Sequence, residues 1–176
     1  MGTDITRASR STVTARSALT EAEIDSFVEN GGTQIVALGA GYDSFTLRRT
    51  DLVDRVTVFE VDHPNTQASK RAKLRDGAVA EPANARYVPV DFESQDAERE
   101  LVQAGWRRDL PTFFSWLGVT MYLTDAATFA TLELVAACSR GSAVAFQYSV
   151  KGSTVPPSDL DIRDRASGGI ATQGEP

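Results

Sequence analysis

The sequence predicts an α/β fold, in which a mostly parallel, doubly wound sheet carries helices on both faces. Strand-like and helix-like stretches alternate from residue 20 to residue 150, as expected for right-handed strand–helix–strand crossovers. The strand-like stretches are apolar without alternation, which is typical of strands buried on both faces. The predicted strand order is 3-2-1-4-5, and it places a ligand crevice outside the carboxyl ends of strands 1 and 4.

Size, charge and cysteine content exclude several classes of protein. The 176 residues, of which 41% are apolar, suit one domain with its own core. A net charge of −6 argues against a general nucleic-acid binder. A single cysteine allows no internal disulfide, and we expect no bound metal. The sequence shows no signal region and no apolar run of membrane length, so we expect a cytoplasmic protein without a membrane partner.

The first predicted elements are a helix and a buried strand. Residues 1–15 are polar and rich in Ser, Thr and Arg, and we expect a flexible N-terminal segment there. Thr20 and Glu23 have capping-box spacing, which predicts that a helix begins at Thr20 and ends at the following Gly-Gly pair. Residues 33–39 then form the first strand.

The later elements continue the same alternation. The other strands are expected over residues 55–62, 85–92, 111–119 and 142–150. The helices between the strands are expected over residues 44–52, 63–76, 94–105 and 124–141. Pro89 places the third strand near an edge of the sheet, because proline cannot donate a ladder hydrogen bond.

The predicted organisation is a ligand-binding domain over residues 16–150 and an irregular tail over residues 151–176. The fifth strand would lie at an open edge of the sheet, where unpaired backbone groups attract other strands. The tail, a second copy of the chain or a further segment of a longer protein would cover that edge.

Glycines and carboxylates fall at the ends of three consecutive strands. Gly39 and Gly41 follow strand 1, Glu60 and Asp62 end strand 2, and Asp91 ends strand 3. These points lie side by side at one edge of a doubly wound sheet, within reach of one extended ligand. The glycines allow close backbone approach, and either acid of strand 2 is placed to accept two ribose hydroxyls. Each acid alone would instead cap the segment that follows it.

Two residues of the glycine loop distinguish between nucleoside cofactors. A dinucleotide loop places glycine where this chain has Ser44, and Asp43 is a poor neighbour for a pyrophosphate at a helix N-terminus. S-adenosylmethionine carries no phosphate, and its ammonium and sulfonium groups would be attracted to Asp43. The remaining alternative is that Asp43 only caps its own helix.

Four motifs resemble, in order and spacing, the leucine carboxyl methyltransferase family. They are "TQIVALGAGYDSFTLRR", "VFEVDHP", "ARYVPVDF" and "WLGVTMYLT". The sequence is most similar to the bacterial branch of S-adenosylmethionine-dependent O-methyltransferases. The resemblance covers residues 16–148 and implies a Rossmann-like class I methyltransferase core.

The resemblance also implies roles for single residues. Arg16 matches an arginine that holds the cofactor carboxylate, and Gly39 matches a glycine beside the methionine portion. Asp62 matches the ribose-binding acid and is preferred to its neighbour two positions earlier. Asp91 and Phe92 match the pair at the adenine.

The chain departs from the family pattern in two respects. Leu117 stands where many members have a glutamate. Members also run on past the end of this chain, so the resemblance implies a truncated member that lacks the usual C-terminal strands.

Three functions follow from these observations. The first is S-adenosylmethionine-dependent methylation of a carboxylate or hydroxyl on a small-molecule or peptide acceptor. The others are an inactive or truncated cofactor-binding fragment and an NAD(P)-dependent oxidoreductase. His63 is expected at a helix start or on the adenine side rather than as a base, and Tyr122 as a packed aromatic or a substrate-side group. No residue is assigned a catalytic role.

Overall fold

The structure is a computed structural model that describes residues 3–148. Its helices are α1 (Thr3–Glu29), α2 (Phe45–Arg48), α3 (Pro64–Asp76), α4 (Ala97–Gln103) and α5 (Asp125–Ala136). Its strands are β1 (Gln34–Leu38), β2 (Thr57–Asp62), β3 (Ala85–Pro89), β4 (Thr112–Trp116) and β5 (Ala143–Phe146). Short 3-10 turns cover Thr50–Leu52 and Thr120–Tyr122.

The five strands form one sheet with the order β3-β2-β1-β4-β5. Every neighbouring pair is parallel, and Val36 of β1 is aligned with Phe59 of β2 and Phe114 of β4. The predicted fold class and strand order are therefore confirmed.

Apolar side chains of the central strands project alternately to two separate cores. Val36 packs with Leu101 of α4 and Leu134 of α5 on one face of the sheet. The next residue back, Ile35, packs with Ile24 of α1 on the other face. Helices thus cover both faces, which explains why the strand sequences lack apolar–polar alternation.

The predicted start of the first helix, at Thr20, is wrong. Residues 3–15 already belong to α1. No glycine or proline interrupts residues 3–29, so nothing in the local sequence stops the helix before its glycine pair. Thr20 lies inside α1 and is only 5% exposed, so it packs against the core and does not cap a helix.

Both edges of the sheet lie where the sequence predicted them. Pro89 is the last residue of the edge strand β3. At the opposite edge, Phe146 of β5 leaves 42% of its surface exposed.

The predicted tail over residues 151–176 lies outside the described residues. Within residues 3–148, no helix has both the length and the hydropathy that crossing a bilayer requires.

Candidate cofactor-binding site

A cavity of about 290 Å³ opens at the carboxyl edge of the sheet, between β1 and β4. It lies where the strand order reverses, as the sequence predicted. The residues that line it are Val13, Arg16, Ser17, Ala37, Leu38, Gly39, Ala40, Tyr42, Asp43, Ser115 and Leu117. The cavity therefore brings together Arg16 from α1, Gly39 and Asp43 from the glycine loop, and Leu117 from the end of β4.

The two loop glycines are required for different reasons. Both adopt left-handed backbone conformations, with φ of +66° at Gly39 and +50° at Gly41. A Cβ on Gly39 would lie 2.3 Å from Cγ2 of Val119, so this glycine lets the β4 loop pack against the β1 loop. A Cβ on Gly41 would meet no atom closer than 3.9 Å. The backbone at Gly41 is therefore open to a ligand.

Asp62 connects the end of β2 with the glycine loop. Its Oδ2 accepts a hydrogen bond from the Gly41 N–H, and its Oδ1 accepts one from the His63 N–H at 2.6 Å. A carboxylate offers about four acceptor positions. Capacity therefore remains on Asp62 for further hydrogen bonds.

Arg16 reaches the cavity from α1. Its guanidinium packs on Gly118, where a Cβ would lie 2.8 Å from Nη2, and it donates a hydrogen bond to Oε1 of Gln147. Among the described residues, no partner accepts a hydrogen bond from its buried Nε. An unpaired buried donor is costly, and an anion at this point would remove the cost.

Asp43 caps a helix and also lines the cavity. Its Oδ1 accepts a hydrogen bond from the Phe45 N–H at 2.9 Å, so the carboxylate does cap the start of α2. The residue is also exposed at the cavity wall, where its charge is available to a cation.

Glu60 does not belong to the crevice, and its inclusion among the cofactor-binding residues is wrong. Its Oε2 pairs with Nζ of Lys70 at 2.6 Å, and its Oε1 accepts a hydrogen bond from Thr46 at 2.6 Å. Glu60 and Asp62 are two residues apart and so project to the same face of β2. They differ in position along the strand: Glu60 lies inside it, where Lys70 of α3 reaches it, whereas Asp62 is the last strand residue and is bonded to the glycine loop.

Asp91 and Phe92, the predicted adenine pair, both have partners within the chain. The Asp91 carboxylate accepts hydrogen bonds from the Ser94 hydroxyl at 2.7 Å and the Glu93 N–H at 3.0 Å. These bonds, led by the one from Ser94, lower the pKa of the Asp91 carboxyl. Phe92 packs against the core below α4 and α5 and lines the cleft between those helices. Asp91 thus acts first as a cap of its own turn.

The structure also settles the position of His63. Its Nδ1 accepts a hydrogen bond from the Asn65 N–H at 3.2 Å, which makes it the N-cap of α3, as predicted. Tyr122 is half-buried in the 3-10 turn that follows β4.

Sequence reasoning missed the surroundings of Tyr42. This cavity-lining ring is 56% exposed, its hydroxyl lies 2.8 Å from Oγ of Ser69, and Nζ of Lys73 lies 4.4 Å from its centroid. The hydrogen bond with Ser69 lowers the pKa of the Tyr42 hydroxyl. In the sequence, the only sign that Tyr42 belongs to the site was its position between Gly41 and Asp43.

Comparison with known proteins identifies relatives of the chain. The model of the family described as leucine carboxyl methyltransferase matches residues 3–136. A Bacillus subtilis protein named "Putative S-adenosyl-L-methionine-dependent methyltransferase YktD" is 35% identical over 136 residues, which cover 77% of this chain and 44% of that protein. A Mycobacterium marinum protein with the same description, without the gene label, is 34% identical and is matched over 69% of this chain and 41% of its own length.

Two further facts bear on the extent of these similarities. The chain spans less than half the length of both relatives. A solved glycopeptide N-methyltransferase, MtfA complexed with sinefungin, is 17% identical, with 76% of this chain and 56% of that chain covered and a TM-score of 0.46. A structural likeness at that level supports no argument about this chain. The family model, in contrast, matches most of the chain, and the chain therefore belongs to the leucine carboxyl methyltransferase family.

Proposed function

We propose that this chain binds S-adenosylmethionine in the cavity between β1 and β4, as part of a methyltransferase that acts on oxygen. The observation that carries the proposal is the placement of Asp62 and Arg16 around the glycine loop. Arg16, whose Nε is unpaired, lines the cavity together with Gly39, and the Asp62 carboxylate, which has spare acceptor positions, is bonded to Gly41 of the same loop. The names of the curated relatives support the choice of cofactor.

Residues in the cavity and next to it fit the parts of this cofactor. Asp62 would accept hydrogen bonds from ribose hydroxyls, and Arg16 would bind the carboxylate with charge-assisted hydrogen bonds. Asp43 would attract the ammonium or the sulfonium. When bound, the cofactor supplies a methyl group attached to a positively charged sulfur.

The residues of the chain mainly bind and orient in this proposal. Holding two reactants in alignment accounts for a large part of the acceleration in such transfers. An acceptor carboxylate is already ionised at neutral pH and needs no general base. A hydroxyl acceptor would need one, and the carboxylate of Asp43 lines the cavity.

Calorimetric titration tests the proposal. The chain is expected to bind S-adenosylmethionine and S-adenosylhomocysteine and not to bind NADH. Asp62→Ala removes charged hydrogen-bond acceptors worth about 1.5–3 kcal/mol, so affinity should fall roughly ten- to 100-fold. Asp109→Ala is the matched control, because Asp109 is an exposed acid that forms its ion pair with Arg107.

Three results would contradict the proposal. Binding of NADH in place of the methyl donor would favour the oxidoreductase, and binding of none of these compounds would favour the inactive fragment. Unchanged affinity in Asp62→Ala, with the variant folded by thermal melting, would remove Asp62 from the site.

A further inference from the structure

A buried ion pair lies beneath the glycine loop, on the side of the sheet covered by α3. Nζ of Lys70 lies 2.6 Å from Oε2 of Glu60, and each side chain is only 5% exposed. One residue further along α3, the Arg71–Glu81 pair is 42% and 32% exposed. The two pairs share a helix but differ in their environment.

Stability alone does not account for the buried pair. Removing two charges from water costs several kcal/mol per ion, and replacing such a pair by apolar residues is often neutral or stabilising. A polar network of this kind is more often explained by the conformation that it specifies. The other bonds of the pair show which conformation that is here.

The pair is bonded to both ends of the segment that follows the glycines. Lys70 donates a second hydrogen bond to the backbone carbonyl of Asp43 at 2.7 Å. Thr46, in α2, donates to Oε1 of Glu60 at 2.6 Å. Since Asp43 lines the cavity, the pair lies directly behind the cavity wall.

The loop needs such a support because its own sequence is permissive. Gly39 and Gly41 leave the backbone free to adopt several conformations. Inside the loop, the Asp43 N–H donates to the carbonyl of Ala40 at 2.8 Å, which closes a turn. Lys70 then holds the carbonyl of Asp43, so that the peptide unit at the end of the turn has one orientation.

We propose that Lys70, neutralised by Glu60, is a positioning residue that keeps the glycine loop in the conformation that binds the cofactor. The identity of the ligand rests on the proposed function. Lys70 does not touch the ligand and acts through Asp43. Because Glu60 cancels its charge, the support adds no net positive charge beneath a site for a cationic cofactor.

The double variant Glu60→Gln/Lys70→Met tests this role without changing the net charge. It leaves no unpaired buried ion, and we expect a melting temperature close to that of the original chain. If the competent loop conformation is then populated about one tenth of the time, the dissociation constant of S-adenosylhomocysteine should rise about tenfold. Hydrogen exchange at the amides of Asp43 and Phe45 should accelerate as well.

The matched control is Arg71→Met/Glu81→Gln, which removes the exposed pair from the same helix. It should leave both the affinity and the exchange of the loop amides unchanged. The proposal is overturned if the buried double variant binds S-adenosylhomocysteine as the original chain does, or if its loop amides exchange at the original rate.

Hydrogen exchange of the original chain gives a second test that requires no variant to fold. The Asp43 and Phe45 amides should exchange within about tenfold of the α3 amides around Lys70, because the loop is released only when that contact opens. Much faster exchange of the loop would overturn the proposal. If the original chain binds no S-adenosylhomocysteine, the proposed function fails, and these exchange rates still decide the role of Lys70.

Discussion

The two sides of the crevice are built in different ways. On the β2 side, polar bonds join Asp62 to the glycine loop and Lys70 to Glu60 and the loop backbone. On the β5 side, the surface is apolar and open: Phe146 is 42% exposed, and Tyr148 is 64% exposed with its ring 5.6 Å from that of Phe146. The contrast separates a side with fixed, directional contacts from a side that offers apolar surface.

This difference assigns separate tasks to the two sides. Directional hydrogen bonds recognise a polar ligand such as a nucleoside, and they work only if their atoms are held in place. Apolar surface is less specific and gains free energy from any partner that covers it. We therefore expect substitutions on the β2 side to change stability and cofactor affinity, and substitutions on the β5 side to change both far less.

The largest expected effect comes from two phenylalanines. Phe59 in β2 is 1% exposed, and Phe59→Ala should lower the free energy of unfolding by about 3–5 kcal/mol. Phe146→Ala in β5 should cost about 1 kcal/mol, because much of that ring already contacts water. Urea denaturation of both variants measures the difference. Equal losses would show that the β5 side is as tightly packed as the β2 side.

A smaller effect is expected from the two loop glycines. Gly39→Ala places a methyl group against Val119 in addition to the left-handed strain, so it should cost about 2–3 kcal/mol of unfolding free energy. Gly41→Ala meets no close neighbour and should cost about 1 kcal/mol from the backbone alone. Chemical denaturation gives these values. A larger loss for Gly41→Ala would mean that the β1 and β4 loops are not in contact.

The smallest expected effect is the contribution of Asp91 to the pH dependence of stability. Hydrogen bonds from Ser94 and Glu93 lower the pKa of its carboxyl in the folded chain, relative to an unfolded value near 3.8. The resulting stabilisation is complete above that unfolded value and is lost as the pH falls through the folded pKa. The stability difference between the chain and Asp91→Asn should therefore shrink between pH 5 and pH 2.5. A difference that stays constant over this range would contradict the capping role.

Much of the framework could be predicted because its signals are local. The apolar run before Gly39 indicates a buried strand, and Pro64 marks the first turn of α3. The parallel alternation limits the order of the strands to few choices. The place of Asp62 beside the glycine loop could be predicted because Asp62 lies at a strand end, 21 residues after Gly41.

Other features escaped because they depend on contacts between distant segments. Thr20 has the spacing of a capping box, yet it lies inside a helix because it packs against the sheet. Glu60 and Asp62 are both acidic residues of the same strand, and only the packing of α3 against the sheet brings Lys70 to Glu60. The packing of Phe92 below α4 and α5 likewise depends on segments distant in the chain.

The sequence by itself determined the class of fold, the strand order and the place of the crevice, because hydrophobic periodicity and glycine position act over short stretches. The tertiary structure decided which acid faces the crevice and what supports the loop. It brought Arg16 from α1 to the cavity and Lys70 from α3 to the carbonyl of Asp43. These contacts join residues distant in the chain, and their energies exist only once the sheet and its helices have packed together.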